Sequence, residues 1–521
     1  MPTSNKMRKV QAADSAPANK VPVKKTAAQT KKGSAAVAAP KKKTSASSMR
    51  QNAAAAKAKE RAAVKGKKAP AITSAVAAAK PTKKAAPQKQ PAKPKKALVS
   101  VAAEPRTPAP PVPTPFLKAR TAPVHSLAER PKAAGKAYVF GNGDCGQLGL
   151  GDEMIERKKP FPLPAISDKD IVDITCGGLH SMALTSDGQL WSWGCNDQKA
   201  LGRDGDEFTP APVSGLDNVR ITKAACSDSA TFALSDDGHV YSWGTFRSSE
   251  GIMGFSEHIN IQEQPMVINE FREPIVDLCA GADHALALSV SGKVYAWGYG
   301  QQGQLGRLIM ERRRLHGLTP ERLRLVDIQH IGSGAYHSFA VAKDGTVYAW
   351  GLNNFRQLGL APKEGGNDMS VHEPTPISAL KDAGVVMITG GMHHSIALTA
   401  DGKLYAFGRS DSHQTGLPFS TLPNDAAAAA DGEPTHKKAI SVPTLIPSIS
   451  GVADVVCGSN HNIALTADGK AYAWGYGEML QLGNGEEEDV EQPMLLQGQK
   501  IEGKRILKVA AGGQHSVIVA A

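Results

Sequence analysis

The stretch GGLHSMALTSDGQLWSWG, residues 177–194, contains the two halves of a pattern that recurs through the second part of the chain. The second half, a D-G pair followed by apolar and aromatic residues and a closing glycine, returns as DGHVYSWG (237–244), SGKVYAWG (291–298), DGTVYAWG (344–351), DGKLYAFG (401–408), DGKAYAWG (468–475) and, truncated, as KAYVFG ending at Gly141. The first half, G-x-x-H, returns with His284, His337, His394, His461 and His515, and CSDSA (226–230) takes the remaining place. The chain therefore contains seven repeats.

Each repeat predicts a small antiparallel sheet. Apolar residues alternate on both sides of the D-G pair, which is typical of two strands joined by a tight turn. About four strands in roughly 55 residues, repeated around a ring, are typical of a β-propeller blade. The chain enters the pattern in mid-repeat at KAYVFG and leaves it after GGQHSVIVAA, so the last strands should complete the first blade. We expect an all-β fold, a seven-bladed β-propeller over residues 137–521 closed by pairing of the N- and C-terminal strands.

Charge divides the chain into two bodies. Residues 1–136 contain 31 of the 61 Lys and Arg but only 4 of the 49 Asp and Glu, so their net charge is +27 and that of the remainder is −15. The first part has no aromatic residue before Phe116, and such a composition cannot bury enough apolar surface to offset the entropy of ordering. We expect a disordered, basic, Lys/Ala-rich tail over residues 1–104 and a Pro-rich linker over residues 105–136, in which residues 105–115 are interpreted as a stiff spacer.

Several classes of protein are unlikely on composition alone. No run of about eighteen apolar residues is present, and the N-terminus lacks an apolar signal region, so we expect neither a membrane protein nor a secreted one. The six cysteines form no C-x-x-C pair and are interpreted as packing residues, without a disulfide framework or a metal site. No Ser-His-Asp, Cys-His or paired-acid set stands outside the repeat markers, so we expect neither hydrolytic chemistry nor a cofactor.

Two further motifs identify a family. The segments GNGDCGQLGLGD (141–152) and GYGQQGQLGR (298–307), together with the G-x-x-H turns and the Y-A-W-G strands, resemble the regulator-of-chromosome-condensation repeat family. The ERKKP after the first of these segments, the GCND-x-x-ALGRD of 194–204 and the SWGTFRSSEGIMG of 242–254 favour its namesake over other repeat proteins. The resemblance implies a seven-bladed propeller that acts as guanine-nucleotide exchange factor for the nuclear GTPase Ran, in nucleocytoplasmic transport, mitosis and the cell cycle. Such a factor releases nucleotide without covalent chemistry, so we expect no enzyme in that sense.

The repeats provide an internal control, because a residue present in every blade is architecture and a departure from the pattern needs a local reason. By this criterion the G-x-x-H histidines and the Y-x-W-G aromatics are scaffold. The residue just before the histidine is acidic at Asp283 and a histidine at His393, and CSDSA brings Asp228 to the same kind of turn. GTFRSSEGIMG (244–254) replaces the usual G-x-x-x-x-x-Q-L-G, and Arg307 follows one GQLG. Taken alone, each departure is also compatible with a solvated turn residue.

The resemblance implies roles for these departures. Asp228, Asp283 and His393 match positions that act on the GTPase, and Asp144, Arg307 and His515 match further contacts. The segment that matches the wedge entering the nucleotide site consists of Phe246, Arg247, Ser248, Ser249, Glu250, Gly251, Ile252, Met253 and Gly254. Arg312, Arg313 and Arg314 lie where the family has a loop that docks an acidic histone surface, although a solvated loop explains them equally well.

The tail is interpreted as a chromatin anchor in the nucleus. Dispersed lysines without aromatics suit neutralisation of DNA phosphates without sequence specificity, and the same clusters can serve importin as nuclear import signals. The lysines concerned are Lys41, Lys42, Lys43, Lys65, Lys67, Lys68, Lys83, Lys84, Lys93, Lys95 and Lys96. A tail that only keeps the protein soluble is the alternative, but it explains poorly why a segment with a net charge of +27 is attached to a remainder with a net charge of −15. Within the long sixth repeat, NDAAAAADGEPTHKK (424–438) is a predicted flexible insertion without an assigned role.

Two rival functions share this sequence pattern. The first is a propeller that scaffolds chromatin or another GTPase without exchange activity. The second is a photoreceptor like the plant ultraviolet-B sensor of the same fold, which needs clustered tryptophans at a dimer surface. The six tryptophans of this chain all lie in the repeats, at Trp191, Trp193, Trp243, Trp297, Trp350 and Trp474. The departures at Asp228, Asp283 and 244–254 favour the exchange factor over both.

Overall fold

The computed structural model describes residues 112–116, 123–422 and 439–521. The predicted basic tail, with all eleven candidate lysines, lies outside the described residues, and so does the predicted insertion at 424–438. Within the described part, the chain is a ring of seven four-stranded antiparallel sheets. The predicted all-β, seven-bladed propeller is confirmed.

The strands follow one another blade by blade. After β1 (Lys136–Asn142) and β2 (Glu156–Pro162), blade 1 consists of β3 (Ile171–Cys176), β4 (His180–Thr185), β5 (Leu190–Gly194) and β6 (Ala211–Pro212). Blade 2 consists of β7 (Ile221–Cys226), β8 (Ala230–Ser235), β9 (Val240–Gly244) and β12 (Gln262–Val267), with a separate hairpin of β10 (Phe246–Ser248) and β11 (Gly251–Gly254) between its last two strands. Blade 3 consists of β13 (Ile275–Ala280), β14 (His284–Ser289), β15 (Val294–Gly298) and β16 (Glu321–Arg322).

The remaining blades repeat this order. Blade 4 consists of β17 (Ile328–Ser333), β18 (His337–Ala342), β19 (Val347–Leu352) and β20 (Ser370–Pro376), and blade 5 of β21 (Val385–Gly390), β22 (His394–Thr399), β23 (Leu404–Arg409) and β24 (Ala439–Leu445). Blade 6 consists of β25 (Val452–Cys457), β26 (His461–Thr466), β27 (Ala471–Gly475) and β28 (Val490–Leu495). Among the described residues, helical structure is limited to short 3₁₀ segments at Pro164–Ile166, Glu311–Leu318, Pro362–Glu364, Ser378–Leu380 and Phe419–Thr421.

Blade 7 closes the ring with strands from both ends of the repeat region. Its order is β2, β1, β30 (His515–Ala520) and β29 (Ile506–Ala511), so the first strand of the ring pairs with the last. The pairing is antiparallel over six residues of β1, from Lys136 opposite Ala520 to Gly141 opposite His515. The predicted closure is confirmed. Because β1 has a partner on each side, no long open sheet edge is left at this blade.

The two ends of the strands define two faces of the ring. The G-x-x-H turns and the closing glycines of the third strands lie at one end, because His180 pairs with Gly194 and the equivalent pairs recur around the ring. We call this end the hairpin face, since β10 and β11 follow directly after Gly244. The D-G turns lie at the other end, which we call the linker face.

The core lies between blades, where each aromatic of the third strand packs against the neighbouring sheet. Trp193, Trp243, Trp350 and Trp474 are fully buried. Their indole Nε1–H groups donate across the joint to main-chain carbonyls of the preceding blade, at 3.0 Å to Gln147, 2.7 Å to Ala200, 3.0 Å to Gln304 and 3.2 Å to Gln414. The Y-x-W-G pattern is therefore scaffold, as predicted.

The histidines of the G-x-x-H turns join the blades in the same way. Each is fully buried, and its Nε2 lies 2.7–2.9 Å from a side-chain oxygen of the next blade, in the pairs His180–Thr231, His284–Ser338, His337–Ser395, His394–Asn462, His461–Ser516 and His515–Ser181. Burial lowers the pKa of His180 to about 4 and that of His284 to about 3, so both rings are neutral at pH 7. The turn glycine is required by contact, since a Cβ on Gly281 would lie 2.2 Å from Cε1 of His284.

The assignment of His515 as a contact for a GTPase is therefore wrong. Its ring is fully buried, and its Nε2 is 2.7 Å from the Ser181 hydroxyl. Burial also lowers its pKa to about 3. His515 belongs to the joint between blades 7 and 1.

The described part of the predicted linker lies against the linker face. The backbone N–H groups of Val124 and His125 both donate to the Val290 carbonyl, at 2.8 and 3.0 Å, and Nε2 of His125 donates to the Ile328 carbonyl at 2.8 Å. Phe116 stacks on His239 with 4.3 Å between ring centroids. Specific partners on blades 2, 3 and 4 therefore hold these linker residues against the ring.

Candidate functional site

The hairpin of β10 and β11 has a buried base and an exposed tip. Phe246 and Met253 are 1% and 8% exposed and belong to the apolar cluster between blades 2 and 3. Ser249 and Glu250 form the turn at the tip, and Ile252 is 51% exposed. The prediction that all of residues 246–254 enter a partner is thus wrong for Phe246, Met253 and Gly254, which are buried in the ring. The exposed part is Arg247–Ile252, which we call the hairpin tip.

Asp283 holds the hairpin where it leaves the ring. Its Oδ1 accepts a hydrogen bond from the backbone N–H of Arg247 at 2.7 Å. Burial, and secondarily the nearby charge of Asp228, raise the pKa of Asp283 to about 7, although the Arg247 N–H bond and the Arg247 charge oppose this shift. Asp283 therefore exchanges its proton in the neutral range while it is bound to the main chain of the hairpin.

Asp228 lies beside Asp283 on the adjacent turn. Its backbone N–H donates to the Ala282 carbonyl at 2.9 Å, which joins the turns of blades 2 and 3. Part of the residue is exposed, but the surrounding turns withdraw its carboxylate from water and raise its pKa to about 6, while the charge of Arg247 opposes this rise. In this conformation the carboxylate occupies the space above Gly178, where a Cβ would lie 2.5 Å from Oδ1 of Asp228.

A different surface lies on the turns of blades 4 and 5. The ring of His393 is 4.7 Å from that of Phe355 and 6.4 Å from that of Tyr336. The Arg409 guanidinium lies 5.1 Å from the Phe355 ring and is held by Asp411 at 2.6 and 2.9 Å. Burial, helped by the charge of Arg409, lowers the pKa of His393 to about 4. His393 is therefore a neutral aromatic at pH 7, and the sequence prediction had singled it out as a titratable group.

The other predicted contacts have simpler surroundings. Asp144 is exposed, in the loop after β1 on the hairpin face, and its N–H donates to Oδ1 of Asn142 at 3.2 Å. Arg307 is held within blade 3 by an ion pair from its Nε to Glu321 at 2.8 Å, and its side chain is only 15% exposed. The structure therefore brings Asp228, Asp283 and the hairpin tip together and attaches Arg307 to its own blade.

The arginine run lies next to the hairpin. Nη1 of Arg314 is 3.1 Å from Oε2 of Glu250 at the hairpin tip and 3.2 Å from Oε1 of Glu311. Leu318, at the end of the same 3₁₀ segment, packs in the apolar cluster that contains Phe246 and Met253. Arg312 and Arg313 are exposed. Contact of these arginines with histones stays a prediction, and Arg314 is already engaged with the hairpin.

Sequence reasoning missed the aromatic side of this face. Tyr336 occupies the same turn position as Asp283, Phe355 follows the third strand of blade 4, and Arg409 ends the third strand of blade 5. The departure of Tyr336 from the pattern was visible, but only titratable residues were selected there. The contacts of Phe355 and Arg409 depend on packing between blades, which one sequence does not reveal.

The described residues contain no set of three or more His, Cys, Asp or Glu side chains placed to hold a metal ion. Within the same ranges, no helix is long and apolar enough to span a membrane. Cys176, Cys226, Cys279 and Cys457 are free thiols. The face is thus a set of turns, one hairpin and two coupled carboxylates, an arrangement suited to contact with another macromolecule.

Comparison with known proteins identifies the family. The sequence profile of the RCC1-like domain matches residues 136–518, which is the ring from β1 to β30. The chain belongs to the RCC1-like domain family. Among curated relatives, it is 41% identical over 416 residues to the protein pim1 of Schizosaccharomyces pombe, covering 76% of this chain and 76% of that protein. It is 35% identical over 406 residues to the human regulator of chromosome condensation, covering 74% of this chain and 90% of the relative.

A third relative and two solved structures bear on function. The chain is 35% identical over 418 residues to the guanine nucleotide exchange factor SRM1 of Saccharomyces cerevisiae, covering 73% and 86% of the two chains. The crystal structure of Prp20p from the same yeast, described with its binding properties to Gsp1p and histones, matches with a TM-score of 0.71 and 36% identity over 76% of this chain and 93% of that one. Yeast RCC1 (Prp20) bound to Kap60 matches with the same TM-score and identity, over 76% of this chain and 91% of that one.

Proposed function

We propose that this chain is a guanine-nucleotide exchange factor for the nuclear GTPase Ran, anchored to chromatin. The observation that carries the proposal is the hairpin tip Arg247–Ile252, which projects from the hairpin face and is bound at its base by Asp283. Support comes from the relative SRM1, named as an exchange factor, and from Prp20p, described as binding Gsp1p. A surface that only binds a partner does not require a hairpin that is held at its base beside two carboxylates.

The chemistry would be displacement without bond cleavage. A GTPase holds its nucleotide through backbone N–H groups and a lysine around the phosphates, together with Mg²⁺. A hairpin tip inserted at that loop, with acidic side chains beside it, can offer the loop and its basic residues alternative partners. The factor would then bind the nucleotide-free state most tightly and accelerate exchange in both directions.

The described residues would have different roles in this displacement. Asp283 accepts the Arg247 N–H and so sets the direction of the hairpin, while Asp228 places a second carboxylate beside the Arg247 side chain. Exposed Ser249, Glu250 and Ile252 form the part that reaches a partner. Neutral His393, with Tyr336 and Phe355, offers an aromatic surface on the turns of blades 4 and 5 of the same face.

The tail supports a second attachment, to chromatin. Its charge of +27 suits neutralisation of DNA phosphates, and a histone contact is proposed for Arg312 and Arg313, in keeping with the histone binding described for Prp20p. Importin is the proposed carrier to the nucleus, because yeast RCC1 is described as bound to Kap60. We expect binding of mixed-sequence DNA by the full chain to fall steeply with salt, and a chain that begins at residue 112 to lose most of that binding.

The exchange function is tested by nucleotide release. Ran loaded with a fluorescent guanine nucleotide is mixed with catalytic amounts of the full chain and excess unlabelled nucleotide, and other small GTPases are tested in parallel. We expect release to accelerate strongly with Ran alone. Binding to Ran without acceleration would replace this function by the rival one, a scaffold without exchange activity.

A further inference from the structure

One joint of the ring lacks the polar link that the other six contain. At those six joints, the histidine Nε2 bonds to a side-chain oxygen of the next blade. At four of the joints the partner is a hydroxyl that in turn donates to a main-chain carbonyl, as Ser338 does to Gln304 at 2.9 Å and Ser516 does to Gln481 at 2.8 Å. Because each of these hydroxyls has a single proton, the histidine Nε2 must be the donor of its bond there.

The exception is the joint between blades 2 and 3. Ala230 stands in place of the histidine and Ala285 in place of its partner, and they are 0% and 1% exposed. The two changes match, since a histidine at 230 would find no oxygen at 285. The turn that supplies the accepting carbonyl in other blades, Gln-Leu-Gly in blades 3, 4 and 6, is also replaced here, by Gly251–Gly254 of the hairpin.

The ring of Phe246 fills the position that this change leaves open. In two other joints, the closing glycine of the third strand packs against the main chain of a glutamine from the preceding blade. A Cβ on Gly408 would be 3.1 Å from Cα of Gln357, and a Cβ on Gly141 would be 3.3 Å from Cα of Gln481. At the equivalent Gly298, the atom in this place belongs to the Phe246 ring, since a Cβ on Gly298 would be 2.9 Å from Cε1 of Phe246.

The surroundings of Phe246 are wholly apolar. Its ring centroid is 6.0 Å from that of Phe232, which lies 5.5 Å from Trp297 in an edge-on arrangement. Ala230 and Ala285 belong to the same cluster, and their small side chains leave room for the phenyl ring. A histidine and a serine at these two positions would compete for that space.

We propose that Phe246 is the positioning residue of the hairpin, and that the joint between blades 2 and 3 has an apolar socket in place of its polar link in order to hold it. A hairpin with strands of three and four residues is not stable in isolation, so its direction depends on how its base is anchored. The Phe246 ring anchors the base of the hairpin in the apolar cluster, and Asp283 accepts a hydrogen bond from the N–H of the next residue, Arg247. The inference rests on the proposed exchange function, in which a small displacement of the tip is costly.

The test restores the missing link. The double variant Ala230→His/Ala285→Ser introduces the polar pair found at the other joints and removes the space for Phe246. The matched control is His461→Ala/Ser516→Ala, which gives the joint between blades 6 and 7 the same two alanines without a hairpin. Both full-length variants are compared with wild type for Ran nucleotide release over a range of factor concentrations, and for melting temperature.

The two variants should separate stability from exchange. We expect Ala230→His/Ala285→Ser to melt cooperatively near the wild-type temperature and to release nucleotide about 10- to 100-fold more slowly at saturation, with KM for Ran changed less than about threefold. The control should melt at a lower temperature but keep the wild-type release rate. Release at the wild-type rate by the folded first variant, or an equal loss in the control, would overturn the proposal.

Two further measurements keep the inference testable. If Ala230→His/Ala285→Ser does not fold, Phe246→Leu and Phe246→Ala replace it, and release should fall in that order. Hydrogen exchange of residues 247–252 reports the hairpin without any GTPase, and its protection should be lost in the first variant alone. Absence of acceleration by wild type would reject the exchange function, while unchanged protection in the variants would reject the role of Phe246.

Discussion

At the scale of single residues, the two carboxylates of the hairpin face are held in a costly state. Burial raises the pKa of Asp283 to about 7 and that of Asp228 to about 6, whereas an exposed aspartate titrates near 3.8. Folding therefore holds both carboxyl groups where their charged forms are partly desolvated. Such an arrangement is more typical of a site that acts on a partner than of one that stabilises the ring.

Asp283→Asn should separate the action of this carboxylate on a partner from its effect on the stability of the ring. Because the folded pKa lies above the unfolded one, ionisation of Asp283 destabilises the native state progressively as pH rises from about 4 to 7. Asn keeps an oxygen for the Arg247 N–H but carries no charge. We expect the variant to exceed wild type in unfolding free energy by about 1–2 kcal/mol at pH 8, by less at pH 5, and to exchange nucleotide more slowly. Urea titrations at both pH values measure the difference, and one that does not shrink as pH falls would contradict the assignment.

At the scale of elements, the hairpin and the arginine run behave as one unit. Arg314 bonds to Glu250 at the hairpin tip, and Leu318 shares the apolar cluster with Phe246. The arginine segment thus braces the hairpin from outside the ring. A partner that recruits these arginines would compete with Glu250 for them.

Arg314→Ala should loosen the hairpin tip without weakening the ring. The pair is exposed to solvent, so its loss should leave the melting temperature unchanged. Backbone amide exchange at Ser249–Ile252 should become faster. Arg313→Ala, an exposed arginine in the same segment, is the control and should leave those amides as in wild type. Equal protection in both variants would show that the ion pair does not restrain the tip.

The elements also show how far the sequence could predict this structure. The repeats were predicted correctly because strand alternation and tight turns are local features, and the pattern that contains them recurs in seven repeats. His515 was misassigned because a match by position does not show that the side chain is buried in a joint. Phe246 was predicted to enter the GTPase, and that prediction was wrong for the same reason. The aromatic surface of Tyr336, Phe355 and Arg409 was missed because it is assembled from turns of different blades.

At the scale of the whole molecule, the two faces of the ring carry different attachments. Asp228, Asp283 and the hairpin tip lie on the hairpin face, and the described linker residues follow the linker face. Linker residue Thr114 donates its N–H to Oδ1 of Asn269 at 3.0 Å, so the chain reaches the ring at blade 2 on that side. The described linker residues therefore leave the hairpin face free for a partner.

Removal of β30 should abolish the ring as a cooperative unit. Deleting residues 515–521 removes buried Val517, Ile518 and Val519 and leaves β1 without one of its partners. Loss of these side chains alone removes roughly 5–9 kcal/mol, as much as the whole stability of many domains. We expect a broad, early thermal transition by circular dichroism and rapid proteolysis. A chain lacking residues 1–111 is the control, and a wild-type melting temperature for the truncated ring would contradict the prediction.

The closure of blade 7 also has a consequence during synthesis on the ribosome. β1 and β2 are made before any other strand of the ring, yet β30, the partner of β1, is made after the other six blades. At 5–20 residues per second, β1 waits about 20–80 s with an apolar strand edge open to other nascent chains. Each newly made copy therefore passes through an interval in which six blades can form and the seventh cannot, and a chaperone that covers β1 during that interval would raise the yield of closed rings.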